Sequence, residues 1–126
     1  MKVKAIEYPT QLSKIVDIDD DNIDVFIELE DGTHITVVVS TPLNLLSYMN
    51  KENINFIPAS QPDIIVKSLT KENIELAVEN FAAGDAFWLK LLFVAGVDRE
   101  FIDMNRIEEC FMKIKKENQE ILDAFE

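Results

Sequence analysis

The sequence is short of positively charged residues. Its 126 residues include 12 Lys and Arg against 24 Asp and Glu, which gives a formal net charge of −12. Nucleic acids and anionic membrane surfaces both bind proteins mainly through Lys and Arg. The charge balance therefore argues against nucleic acid and membranes as partners, and it favours a basic protein.

Residue types that carry most catalytic and metal chemistry are also scarce, with one His, one Cys and three Gly. The lone His34 cannot form a His-rich metal site, and three scattered glycines do not form a phosphate-binding loop. Acidic neighbours of Cys110 oppose a reactive thiolate. We expect no catalytic residue, no metal site and no cofactor, so the chain is predicted not to be an enzyme. His34 is expected in a strand opposite Glu28, and Cys110 in the core.

Long apolar runs and paired cysteines are missing too. The most apolar stretch, residues 81–97, is interrupted by Gly84, Asp85 and Lys90 and is shorter than the ~20 residues of a membrane span. The N-terminal MKVKAIEYPT lacks the apolar segment of a signal peptide. One cysteine cannot form an internal disulfide. We therefore expect a cytoplasmic protein.

The chain does contain enough apolar sequence for one core, since hydrophobic residues make up 48%. Its clearest β pattern is DVFIELEDGTHITVVVS, residues 24–40, where apolar residues alternate on both sides of Asp31-Gly32. A three-residue turn ending at Gly32 pairs Ile27 with Ile35, whereas a two-residue turn would pair Ile27 with Thr36 and mix the faces. We therefore expect a hairpin with a bulged turn.

Shorter apolar runs predict further strands at residues 3–8, 13–18 and 63–69. The DIDDDNID segment, residues 17–24, reads as a solvated turn between strands. A loop containing Pro58 and Pro62 precedes the last strand.

Helical patterns follow the strands. Thr41-Pro42 and Thr70 are typical helix starts, and residues 86–95 are apolar nearly all round, which predicts a buried helix with Trp88 or its neighbours in the core. Asn105 and Glu108 resemble a capping box. The order predicts an α+β fold, with an N-terminal antiparallel sheet followed by C-terminal helices in a single domain over residues 1–126. The apolar stripe of the last helix comprises Ile107, Cys110, Phe111, Ile114, Ile121, Leu122 and Phe125.

Acidic residues are concentrated in residues 15–50, which contain eight acids and no Lys or Arg. If Val25, Ile27 and Leu29 face the core, the intervening residues share the other face. An exposed Phe26 among carboxylates is typical of an interface, because the apolar side chain supplies affinity and the charges supply association rate and selectivity. The predicted partner-binding residues are Asp20, Asp21, Asp24, Phe26, Glu28 and Glu30.

A second hypothesis rests on spacing. Asp17, Asp19, Asp21 and Glu28 match positions one, three, five and twelve of an EF-hand calcium loop. The sixth position is Asn22 instead of Gly, the eighth is acidic, and strands are predicted on both sides. A metal-linked regulatory domain therefore stays open as an alternative, as does a small housekeeping domain.

Residues 62–93, PDIIVKSLTKENIELAVENFAAGDAFWLKLLF, resemble the strand–helix–aromatic-helix segment of bacterial immunity proteins that neutralise polymorphic or contact-dependent toxins. The resemblance covers about a quarter of the chain and rests on pattern. It implies a small cytoplasmic inhibitor that caps a cognate toxin domain, often a basic nuclease, with carboxylates where phosphates would sit. It assigns no site residues.

Overall fold

A computed structural model describes residues 1–59, 63–97 and 99–125 of the chain. One sheet contains strands β1 (Val3–Glu7), β2 (Asn22–Leu29), β3 (His34–Ser40) and β4 (Ile64–Ile65), in that order. The helices are α1 (Pro42–Glu52), α2 (Lys71–Phe81), α3 (Ala83–Val97) and α4 (Met104–Ala124), with short 3-10 helices at Leu12–Lys14 and Arg99–Phe101. The predicted α+β architecture, a sheet followed by helices, is confirmed.

The hairpin formed by β2 and β3 has the predicted register. Ile27 lies opposite Ile35, and the N–H of Leu29 donates to the carbonyl oxygen of Thr33 at 2.9 Å. Gly32 has a φ of 86°, a left-handed conformation that glycine adopts without a Cβ clash. This register buries every odd-numbered residue of β2 and leaves the even-numbered ones on the other face.

Both edges of the sheet differ from the sequence-based expectation. Residues 13–18 do not form a strand: they continue from the 3-10 helix Leu12–Lys14 into irregular backbone, and β1 pairs directly with β2. The run has no buried face, because Val16 is fully exposed and Ile15 only half-buried. At the other edge β4 runs parallel to β3, so the sheet is mixed. Pro62 lies outside the described residues.

The core lies between one face of the sheet and helices α2 and α3. Ile74 and Val78 of α2 are fully buried one turn apart, as the helical spacing predicts. Thr70 caps this helix, and its hydroxyl oxygen accepts from the N–H of Asn73 at 3.1 Å. The sheet contributes Ile23, Val25, Ile27, Leu29, Ile35, Val37, Val39 and Ile64.

Helix α3 is buried on one side only, so the prediction of a helix buried all round is wrong. Ala86 and Leu89 are fully buried, whereas Trp88 is 59% exposed and Phe87 lies beside it on the surface. The two rings contact each other edge to face, with centroids 5.3 Å apart. An apolar sequence is buried all round only when a second layer covers it, and the described elements leave this side of α3 open.

Helix α4 departs furthest from expectation. Its N-cap is Asp103, whose carboxylate accepts from the N–H groups of Asn105 at 3.0 Å and Arg106 at 3.3 Å. The predicted capping box at Asn105 and Glu108 is therefore wrong by two residues. No residue of α4 is buried and Cys110 is exposed, so the apolar stripe faces solvent instead of the core.

Tyr8, just after β1, has a hydroxyl without a hydrogen-bond partner in the part of the chain that the structure describes. Burial, and secondly the nearby Glu75 carboxylate, raise the pKa of Tyr8 above 10.0. We expect Tyr8→Phe to leave the free energy of unfolding unchanged or to raise it by up to ~1 kcal/mol, because it removes an unsatisfied buried hydroxyl.

The pH dependence of the same variant gives a second readout. The contribution of the protonated tyrosine to the free energy of unfolding is complete below pH 10.0. It is lost as the pH rises through the higher pKa that Tyr8 has in the folded state. Urea unfolding at neutral and alkaline pH should therefore show the wild type weakening relative to Tyr8→Phe above about pH 10. A loss of more than ~1 kcal/mol at neutral pH in the variant would show that the hydroxyl is hydrogen-bonded.

Candidate functional site

The face of the sheet opposite α2 and α3 carries mostly exposed side chains among the described residues, and we call it the outer face. It consists of the side chains of β1, β2 and β3 that point away from the core. Cross-strand pairing arranges them in rows, because residues directly opposite each other share a face. The outer face comprises Ala5, Glu7, Asn22, Asp24, Phe26, Glu28, His34, Thr36 and Val38, and the side chain of Lys4 reaches it at Glu28.

Phe26 lies at the middle of the outer face. It is 44% exposed, as the alternation along β2 predicts, and it is paired with Glu7 of β1 on one side and Thr36 of β3 on the other. Asp24 precedes it on the same face and pairs with Val38. The aromatic ring therefore has an acidic residue both beside it and along its own strand.

The carboxylate of Glu28, two residues after Phe26 on the same face, lies close to two basic side chains. Its Oε1 lies 3.6 Å from Nζ of Lys4, and its Oε2 lies 3.3 Å from Nε2 of His34. The predicted pairing of His34 opposite Glu28 is confirmed. Such exposed pairs contribute little to stability, but Lys4 offsets the negative charge at this point. The free carboxylates on the described outer face are therefore those of Glu7 and Asp24.

A cavity of about 290 Å³ lies over this part of the sheet, lined by Ala5, Glu7, Phe26, Glu28, His34 and Thr36 among others. Small-molecule pockets usually measure ~300–1,000 Å³. The cavity thus lies at the lower end of that range, and its lining includes the carboxylates of Glu7 and Glu28 and the ring of Phe26.

The remaining predicted residues lie at the two ends of β2. Asp20 and Asp21 come just before the strand, and Asp21 accepts the N–H of Asn22 on its carboxylate at 2.8 Å. Glu30 follows the strand and accepts the N–H of Lys2 at 3.1 Å. An eight-residue strand spans ~27 Å. Asp24, Phe26 and Glu28 are thus brought together, whereas Asp20, Asp21 and Glu30 join them only under a partner that covers the whole strand.

Asp31 has a structural role in the hairpin turn. It accepts the N–H of Thr33 at 3.0 Å and lies 3.4 Å from Nζ of Lys90 on α3. Hydrogen bonds from Thr33, followed by the smaller effect of Lys90, hold the pKa of Asp31 below its usual range. The Asp31 side chain therefore links the hairpin turn to α3.

The acidic turn does not assemble a calcium loop. Asp17 accepts the N–H of Asp19 at 3.0 Å, Asp19 accepts the hydroxyl of Ser68, and Glu28 is on the outer face beside Lys4. Within the described ranges no group of three or more His, Cys, Asp or Glu side chains is placed to hold a metal ion. The described helices likewise include none long and apolar enough to cross a membrane.

The contribution of β1 to the outer face was missed from sequence, because residues 13–18 were expected to take the place beside β2. With β1 in that place, Glu7 lies next to Phe26 and Lys4 reaches Glu28. VKAIEY carries no clear signal for this, because strict alternation would put Lys4 and Glu7 on opposite faces; both reach the outer face because the register shifts between Val3 and Ala5.

Comparison with protein-family models, with curated proteins and with solved structures finds no significant match to this chain.

Proposed function

We propose that this chain is an acidic binding module that holds a basic protein against its outer face. The observation that carries the proposal is Phe26, a large apolar side chain exposed between Glu7 and Asp24 on the outer face. Aromatic side chains that become buried at the centre of an interface supply much of its affinity. Carboxylates around such a residue select a positively charged partner and speed the encounter.

The cavity beside Phe26 suggests how the partner is recognised. A Lys or Arg side chain entering it would pass over the ring of Phe26, where a cation is attracted to the aromatic face. Glu7 lines the cavity and pairs with no base among the described residues, so an incoming guanidinium can pair with it through two hydrogen bonds. The incoming Lys or Arg can also replace Lys4 as the partner of Glu28. This exchange keeps the number of ion pairs constant.

The proposed class of partner is a toxin domain, and in particular a basic nuclease. This rests on the resemblance of residues 62–93 to bacterial immunity proteins, together with the net charge of −12. Strand β4, helix α2 and the aromatic helix α3 follow one another along these residues, and this order is the pattern on which the resemblance rests. A toxin that binds nucleic acid presents Lys and Arg where this chain presents carboxylates.

The proposal predicts different kinetic effects for charge and for the aromatic ring. The protein is co-expressed with the product of the neighbouring gene, and association and dissociation rates are measured across a salt series. Glu7→Lys with Asp24→Lys should slow association at least ~10-fold at low salt. The difference should shrink as salt shortens the Debye length from ~10 Å at 0.1 M to ~3 Å at 1 M. Phe26→Ala should instead speed dissociation by ~30-fold or more.

A matched control separates the outer face from net charge. Glu72→Lys with Glu79→Lys changes the net charge by the same amount, but both residues are exposed on α2, on the other side of the sheet. This pair should alter the association rate much less. Equal effects of the two reversals would place the interface elsewhere, and salt-independent association unaffected by either would contradict the proposal.

A further inference from the structure

Helix α4 lies outside the core along its whole length. It contains 21 residues, none of them buried, and at 1.5 Å per residue it is ~31 Å long. It makes no extended contact with another described helix or strand. Most of the stability of a protein helix comes from packing of its apolar face, yet the apolar side chains of α4 are exposed, with Phe111 at 65%. The described elements supply no such packing for this stripe.

The stripe follows a seven-residue repeat. With Met104 as the first a position, the a positions are Met104, Phe111, Asn118 and Phe125, and the d positions are Ile107, Ile114 and Ile121. Six of these seven positions are apolar, and the last, Phe125, is the C-cap of the helix. Apolar a and d positions sustained over about three heptads are typical of a coiled coil, in which helices wind around each other along one seam. The positions opposite the seam are polar apart from Met112: Asn105, Arg106, Glu109, Lys113, Lys116, Gln119, Glu120 and Asp123.

The isoleucines at d are compatible with more than two strands, but a single Asn at an a position specifies register and oligomer state, so Asn118 decides between the arrangements. In a parallel, in-register pair of identical helices each a position faces the same a position, so Asn118 meets its own copy and the two carboxamides can hydrogen-bond. In an antiparallel pair an a position faces a d position, and the buried carboxamide would lie against an isoleucine without a partner. We propose that α4 pairs with α4 of a second copy of this chain, in a parallel two-stranded coiled coil.

The charge and size of α4 suit this occupant. Five acidic and four basic residues lie between Met104 and Ala124, a net charge of −1, against −12 for the whole chain. Two copies therefore repel each other little along this helix, although they do so elsewhere. Burying Phe111 and Phe125 removes on the order of 300 Å² of apolar surface per copy. The isoleucines, Met104 and Leu122 add the remainder of an interface that needs ~800 Å² per partner.

A seam residue and its neighbour provide a matched pair of variants. Phe111 and Met112 are adjacent, apolar and exposed, but Phe111 lies on the seam and Met112 beside it at a b position. Sedimentation equilibrium of the wild type at micromolar concentrations should show dimers, which Phe111→Glu weakens at least ~100-fold and Met112→Glu leaves nearly unchanged. At a concentration too low for either variant to dimerise, urea unfolding of the two should be alike, because α4 contributes no buried residue. A wild type that stays monomeric, or equal effects of both variants, overturns the proposal.

Orientation is tested with a cysteine at one end of the helix. In a Cys110→Ala background, Met104→Cys places the thiols of a parallel pair next to each other, within the ~4.4–6.8 Å between Cα atoms that a disulfide needs. In an antiparallel pair the two thiols would lie near opposite ends of the seam. Oxidation should give a covalent dimer with Met104→Cys and none with Glu109→Cys, which points away from the seam. Cross-linking at Glu109→Cys alone, or a trimer in sedimentation, would exclude the parallel two-stranded arrangement.

Discussion

Leu89→Ala should lower the free energy of unfolding by ~2–5 kcal/mol, because it removes a fully buried side chain and leaves a cavity under helix α3. Leu91→Ala, two residues further along the same helix, should cost less than ~1 kcal/mol, because Leu91 is 39% exposed and its surroundings can relax. Urea unfolding followed by circular dichroism measures both.

The two variants control for each other. Both make the same chemical change within one helix, so the effect of Leu→Ala on helix propensity is nearly equal and small. Their difference therefore reports burial. If Leu91→Ala cost as much as Leu89→Ala, the side of α3 that carries Phe87 and Trp88 would be covered in solution. If both were nearly neutral, α3 would not pack on the sheet as described.

The hairpin could be predicted from sequence because two independent constraints agree there. The apolar alternation puts Ile27 and Ile35 on the same face only if the loop between the strands has an odd number of residues. Gly32 is placed where a three-residue turn needs a positive φ. The start of α2 at Thr70 was predictable for a similar reason, since a capping residue and a helical apolar period coincide. Local sequence suffices where turn or cap chemistry and periodicity give the same answer.

Burial of α3 and α4 could not be predicted in this way. A helical period shows which residues share a face, but Trp88 and Phe111 are exposed because no described element lies over them. Whether such a layer exists depends on the arrangement of the whole chain. Residues 13–18 illustrate the same limit for strands: the run is apolar enough for a strand, but the place beside β2 is taken by β1.

The residues of the candidate site differ in the same way in how far the sequence predicts them. Asp24, Phe26 and Glu28 follow from strand parity alone, which is a local property. Lys4 and Glu7 reach the outer face only through the pairing of β1 with β2, which parity does not specify. As a consequence the outer face is less negative around Glu28 than the run of acids in the sequence suggests, and its uncompensated charge lies at Glu7 and Asp24.

Thr41 connects this face to helix α1 and is fully buried. Its hydroxyl oxygen accepts from the N–H of Asn44 at 3.4 Å, which caps the helix, and from the N–H of Asp21 at 3.3 Å. The hydroxyl also donates to the carbonyl oxygen of Asp21 at 3.4 Å. One side chain thus holds the start of α1 and the end of the acidic turn just before β2.

Thr41→Val should therefore lower the free energy of unfolding by ~2–3 kcal/mol, because it keeps the shape of the side chain and leaves two backbone N–H groups without their acceptor. Thr41→Ser is the control: it keeps the hydroxyl and loses one methyl group, at a cost of ~1 kcal/mol. Urea unfolding gives both values, and hydrogen exchange should show faster exchange at the amides of Asp21 and Asn44 in Thr41→Val only. If Thr41→Ser were the more damaging change, the methyl group and not the hydroxyl would hold the acidic turn in place.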